Sequence, residues 1–363
     1  MRQVTLSRLA EYLVLFLAFA SLATGQVTIT EFPIPTAASF PLDGIAKGPD
    51  GNVWFTEFSG NSVGKITPTG TITEFPLPTP NSNPRGIVAG PDGNLWFTET
   101  STAKIGRITP AGVITEFNIP TAIAFSGFIT AGPDGNLWFT ESIAGKVGRI
   151  TTAGTVTEFP AAGQPAGIVA GPDGNLWFTE NIGNKIGRIT TAGVLTEFPI
   201  PTANSNPLGI TAGPDGALWF AESTANKIGR VTTAGAITEF VIPTVSASPF
   251  AVATGLDGNL WFAEVPGKVG RLTPAGVFTE FATPNPNPGG GGITQGGDGN
   301  IWFTESSANN IARLVSTTFT PPATPNLTPA GVPALPLPAL LALALLVLGA
   351  GTWALRRSTS AAR

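Results

Sequence analysis

The chain of 363 residues contains no cysteine and no histidine. The first absence excludes disulfide staples, zinc–thiolate centres and cysteine nucleophiles. The second removes the side chain that most often serves as general base near neutral pH and most often ligates transition metals. Tyrosine occurs once, at Tyr12. Charge is scarce as well: 12% of positions are Asp, Glu, Lys or Arg, about half the usual share of a soluble domain. A formal net charge of −4 offers no basic surface to a phosphate backbone, which argues against a nucleic-acid partner. What the chain has in abundance is punctuation, 45 Gly and 34 Pro, the composition of a backbone that turns often.

The two ends differ from the middle. Residues 1–25 read as a secretory signal peptide, with Arg2 and Arg8 before the apolar run Leu13–Ala20 and small residues Ala23-Thr24-Gly25 ahead of a cut at Gln26. At the other end a Pro-rich linker, residues 319–338, leads into an uncharged run, Ala339–Leu355, closed by Arg356 and Arg357. As a helix that run would be about 26 Å long, at the short end for a bilayer core. Positive residues directly after it place the tail in the cytoplasm and the bulk of the chain outside. The layout Val332-Pro333-Ala334-Leu335-Pro336, apolar helix, Arg pair resembles the sorting tails of bacterial exosortase-type surface proteins, the IPTL and PEP kinds, without the Glu of the PEP motif. The resemblance implies an exported protein of the bacterial envelope or surface, held in the membrane by residues 339–363 or released after tail processing.

Between these ends one unit recurs seven times. The string Trp-Phe-(Thr or Ala)-Glu begins at Trp54, Trp96, Trp138, Trp177, Trp219, Trp261 and Trp302, at intervals of 39 to 42 residues. A period of that length with short strand-like runs signals a propeller or a solenoid. In the fifth repeat the runs are Gly209–Ala212, Leu218–Glu222, Lys227–Thr232 and Ala236–Phe240, rich in Ile, Val, Thr, Phe and Trp and separated by turn residues. No 3.6-residue period occurs, so a helical solenoid is excluded. The fold class expected is all-β: a seven-bladed β-propeller of four-stranded antiparallel blades over residues 26–318, plus the signal peptide and the transmembrane helix. A Thr-Glu-Phe strand precedes the first Trp unit and none follows the last. Thr28–Phe32 is therefore expected to complete the last blade beside Ile311–Leu314, which would hide two edges.

The strings I-T-E-F-P-I-P-T, G-I-x-A-G-P-D-G-N-L-W-F-T-E and N-K-I-G-R-I-T-x-A-G are similar to those of the streptogramin B lyase (virginiamycin B lyase) family across about residues 27–318. That resemblance implies a seven-bladed propeller. In the active enzymes it also implies a magnesium-assisted elimination that opens a cyclic depsipeptide, with histidine as the base. This chain has no histidine to offer, so no residue is assigned a catalytic role. Magnesium enters only through the resemblance.

Most charges are copies of a few repeat positions. Seven turn Asp residues precede the Trp strands, and the Glu of Thr-Glu-Phe reads as solvated edge protection on an outer strand. The Glu ending each Trp strand is expected to pair across the hairpin with Lys104, Lys146, Lys185, Lys227 or Lys268. Lys65, Arg107 and their five counterparts form a further structural column, and the Trp residues are read as core. Between Gln26 and Gly331 only Asp43, Lys47 and Arg85 fall outside these columns. Asp43 and Arg85 share one slot, before Gly44 and Gly86, at the expected mouth of the central channel. Ser62 and Asn310 replace the Lys opposite Glu57 and Glu305, in blades that become neighbours once the ring closes. Two readings follow: a salt bridge between Asp43 and Arg85, or a polar pocket of Asp43, Arg85, Glu57 and Glu305 in which Asp43, Glu57 and Glu305 would hold a cation. The long loops on that face carry almost no charge, which suits a neutral polymer, peptide or small-molecule ligand. The competing functional class is a metal-assisted lyase or lactone hydrolase that opens cyclic depsipeptides or lactones through carboxylates.

Overall fold

A computed structural model describes residues 27–122 and 124–316 of the chain. The signal peptide, the linker and the transmembrane tail expected from the sequence lie outside the described residues. Within them the chain forms 28 strands, β1 to β28 in chain order, arranged as seven four-stranded sheets. Blade 2 shows the pattern: β6 (Pro84–Ala89) lines the channel, followed outward by β7 (Leu95–Glu99), β8 (Lys104–Ile108) and β9 (Ile114–Asn118). All pairings are antiparallel, so the second strand of every blade ends on the face where the first begins. No helix among the described residues is long and apolar enough to cross a membrane.

The inner strand starts earlier than periodicity suggests. In blade 5 it runs Pro207–Ala212, with a register shift between Pro207 and Ile210. Proline is tolerated there because the first residue of an edge strand needs no ladder donor. The bulge turns the residues just after it toward the channel mouth.

The ring closes as expected. β1 (Val27–Pro33) pairs along its whole length with β28 (Asn310–Ser316), in the sheet that continues through β27 (Ile301–Glu305) to β26 (Ile293–Gln295). The first and last strands of the fold thus share one blade, with β28 paired on both sides and β1 as its outer strand.

Each blade is built around its tryptophan, whose side chain is at most 1% exposed. A buried indole needs a partner for its N–H, and the turn Asp four residues earlier accepts it at 3.0–3.1 Å in all seven blades. The same Asp takes the next Asn side chain, for example Asn94 to Asp92 at 2.8 Å. The turn Asp is therefore an acceptor for the core as well as a hairpin residue. Burial alone would raise the Asp92 carboxyl, but bonds from Asn94 and Trp96 outweigh it and hold it below the ordinary range. The outer face of the indole stacks on the Phe of Thr-Glu-Phe, as in Trp96–Phe117 at 5.4 Å between centroids. Arg107 lies over both rings and donates to Thr152 O of the next blade at 3.2 Å. One side chain thus ties the blade internally and to its neighbour.

The charge pairing differs from the expectation. Lys104 faces Glu99 in register, yet its ammonium bonds Glu116 of the outer strand at 2.7 Å. The same outer-strand choice is made by Lys146, Lys185, Lys227 and Lys268. Gly106 stands opposite Glu116, and the Phe97 ring fills the space a Cβ there would need. The outer Glu is not simple edge protection either: Glu116 also accepts the backbone N–H of Thr79, fixing the loop that enters the blade.

Deleting residues 27–33 is expected to unfold the ring cooperatively, read as loss of the native melting transition. Replacing Trp177 with Ala should cost about 3–5 kcal/mol in denaturant unfolding, since it leaves both a cavity and an Asp without its donor.

Candidate functional site

The channel mouth is assembled by the first residues of the inner strands, held by hydrogen bonds between blades. Thr56 donates its hydroxyl to Arg85 O at 2.5 Å, Thr98 to Gly127 O at 2.9 Å and Thr179 to Leu208 O at 2.6 Å. Thr304 closes the series on Leu42 O. Three of these bonds end on the next blade's mouth residue and the fourth on the residue before it, so the backbone of the slot is fixed there and its side chain is free to vary. Gly44 is required by this closeness: a Cβ there would fall 1.7 Å from Arg85 O.

The structure brings Asp43 and Arg85 together. Arg85 Nε donates to Asp43 Oδ2 at 2.7 Å, with the Asp43 side chain fully buried and that of Arg85 20% exposed. Oδ1 of Asp43 is buried without a hydrogen-bond partner. Asp43 is one of the residues lining a cavity of about 130 Å³ at the inner end of the mouth. The wall below is a collar with one aliphatic residue per blade: Ile45, Ile87, Ile129, Ile168, Ile210, then Val252 and Ile293. The guanidinium of Arg85 lies 5.5 Å from the ring centre of Phe128, and Phe128 stacks on Phe250 at 6.4 Å. A cavity lined by this collar, by Gly86, Gly167 and Gly209 and by Asp43 and Phe128, with Arg85 and Phe250 beside those two, is the composition of a small-ligand site.

Phe128 and Phe250 complete this mouth although neither was among the sequence candidates. The signal was present. Phe128 interrupts a column otherwise occupied by Gly44, Gly86, Gly167, Gly209, Ala251 and Gly292. Two further phenylalanines, Phe40 and Phe125, stand on the loops leading to the mouth with φ of 53° and 48°, where blades 2 and 5 have Asn83 and Asn206. A bulky residue in the left-handed region is strained, and both rings are partly exposed on this face.

Glu57 and Glu305 are placed differently. Both are fully buried in the bodies of blades 1 and 7. Burial, and next the carboxyl of Glu74, pushes Glu57 up to about 8. Burial, and next Glu31, pushes Glu305 up to about 7, and Asn310 donates to its Oε2. A magnesium ion demands several converging oxygen ligands. Among the described residues no three acidic side chains converge in that way, Asp43 is engaged by Arg85, and Glu57 and Glu305 each face a second carboxyl of their own blade. The residues present do not fit a divalent cation held by Asp43, Glu57 and Glu305.

Together these observations define a closed propeller whose variable positions gather at one channel mouth. The chain belongs to the virginiamycin B lyase family, whose model matches residues 20–170 and 128–268. Among solved structures it is similar to a streptogramin B lyase, 39% identical with a TM-score of 0.76, over 80% of this chain and 98% of that one. It is similar in the same way to the virginiamycin B lyase of Staphylococcus aureus, 41% identical with a TM-score of 0.76, over 80% and 99% of the two chains. A catalytically inactive form of that enzyme, with quinupristin, is 40% identical over the same shares with a TM-score of 0.76. No curated protein sequence matches the chain.

The pair at the mouth has unequal halves. Removing Arg85 leaves a buried, uncompensated carboxylate, whereas removing Asp43 leaves a guanidinium with access to water. Arg85→Ala should therefore destabilise the fold by about 3–5 kcal/mol in urea unfolding. Asp43→Ala and the double variant should each cost clearly less.

Proposed function

We propose that this chain is an exported, surface-held binding module whose ligand enters the channel mouth, without the histidine-based chemistry of the active lyases. The observation that carries the reading is Asp43, which lines the mouth cavity, is paired with Arg85 and keeps one buried oxygen, Oδ1, without a donor. Since Arg85 neutralises the carboxylate, the site favours a neutral ligand over an ion. Such a ligand would place one N–H or O–H against Oδ1 and a carbonyl toward the guanidinium, with its apolar part on Phe128 and Phe250. A peptide-like molecule has that combination of groups. Export and surface attachment are supported by the signal-like start and the apolar tail ending in Arg356 and Arg357.

The competing reading is a lyase or lactone hydrolase that works through carboxylates. A relative binds quinupristin, so the cyclic depsipeptide is the informative probe. With quinupristin and magnesium, the chain is expected to leave the ring intact by chromatography, which separates the opened isomer that elimination would yield. Ring opening would replace the binding reading by the enzymatic one. Capped neutral dipeptides are expected to raise the melting temperature of the chain. The shift should vanish in Asp43→Ala/Arg85→Ala, and a shift that persists in that variant would place the ligand elsewhere.

A further inference from the structure

The glutamates that end the seven tryptophan strands have no role in the mouth, yet each is completely shielded from water. In blades 3 and 4 neither oxygen of Glu141 or Glu180 meets a donor. Beside them stand the carboxyls of Glu158 and Glu197 on the outer strands. Two carboxylates cannot bond each other; one of them must bring a proton. Glu57 with Glu74, Glu222 with Glu239 and Glu305 with Glu31 repeat the arrangement. Glu99 and Glu264 lie within the electrostatic reach of Glu116 and Glu280.

The remaining groups around each inner glutamate are few. A lysine stands near in blades 2 to 6: Lys104, Lys146, Lys185, Lys227 and Lys268. Each of those lysines is bonded to the outer carboxylate. Thr102 donates its hydroxyl to Glu99 Oε2 at 3.1 Å, whereas the hydroxyls of Ser39, Ser82 and Ser205 are bonded to Asn309, Thr79 O and Asn184, and both oxygens of Glu57 and Glu222 are left without a donor. Blades 1 and 7 have Ser62 and Asn310 at the lysine position, so their carboxyl pairs have no ammonium beside them. Several of the groups named belong to the loops of the binding face. Ser39 lies on the loop that carries Phe40 and Asp43, and Thr36, Thr79, Thr202 and Thr244 give their backbone N–H to the outer glutamates.

We propose that the buried glutamates are a pH-sensitive element of the ring: each, sealed from water beside an outer carboxylate that has taken the lysine or the loop N–H, carries a proton in the folded blade, and losing that proton in alkali loosens the blade. Burial is the first cause of the upward displacement, to about 8 in blades 1, 4 and 5 and about 7 in blades 3, 6 and 7. The folded ring therefore holds protons that the unfolded chain has already lost above its ordinary Glu value of 4.5. Their contribution to stability is complete below that value and is lost as pH rises through 7 to 8. The outer glutamates act in the opposite sense. Burial opposes them, but Lys and Thr donors hold Glu116, Glu158, Glu239 and Glu280 below the ordinary range, so they stabilise the fold above it and cease to as pH falls. The two sets together put the most stable window in mildly acidic solution.

Infrared spectroscopy and thermal unfolding of the full chain test this together. The carbonyl stretch of protonated carboxylic acids should be present at about pH 6 and gone by about pH 9. The melting temperature should fall by roughly 5 °C or more between about pH 5 and pH 9. Glu57→Gln/Glu305→Gln keeps shape and a donor without a titrating proton, so it should melt like the parent in acid and higher than the parent in alkali. Ser62→Lys, which installs the ammonium of the other blades, should also raise the alkaline melting temperature. A parent spectrum without the acid band at about pH 6, or a melting temperature that is level or rises toward alkali, overturns the proposal. The infrared result stands on the parent protein alone, should a variant fail to fold.

Discussion

The structure depends on seven tryptophans being buried without leaving an unsatisfied N–H. Each indole is sandwiched between blades and stacked on the outer-strand Phe, and its nitrogen reaches the Asp that also makes the preceding turn. One residue pair thus solves packing, polar satisfaction and chain reversal at once. The cation of the third strand then covers the Trp–Phe stack and, in most blades, reaches a carbonyl of the next. Because the unit spans its own blade and its neighbour, no blade is complete by itself. The ring must close, and the closure of β1 on β28 follows from the same need.

A repeat of this kind leaves little room for function except where the repeat is broken. Asp43, Arg85, Phe128 and Phe250 occupy positions that Gly, Ala or Leu fill in other blades, and all four gather at one mouth. The threonine bonds between blades explain why this end can vary: they hold the backbone of the slot and ask nothing of its side chain. The chain lacks the histidines of its active relatives' chemistry, and in the slot it presents a buried ion pair against an aromatic pair.

Much of the fold was legible because the hydrophobic pattern and the turn residues repeat at a constant interval. The strand count, the ring closure and the core role of Trp54 and its counterparts all follow from that interval. The pairing of Asp43 with Arg85 was also legible, since two unlike charges share one slot in adjacent blades. The destination of Lys104 was not. Register puts it opposite Glu99, but Glu116 is more solvated and takes the ammonium, while burial raises Glu99 above its ordinary value. Nor could sequence alone show that Glu57 and Glu305 belong to carboxyl pairs inside their blades and not to the mouth.

The sequence by itself determined the architecture, the number of blades and the absence of any histidine or cysteine chemistry. Those properties depend on local patterning and composition, which need no coordinates. Only the tertiary structure decided which of several nearby carboxylates takes each lysine, which glutamates are sealed from water, and which aromatic rings reach the channel. Those outcomes depend on side-chain reach across strands and on burial by neighbouring blades, quantities that a residue's place in a repeat does not contain.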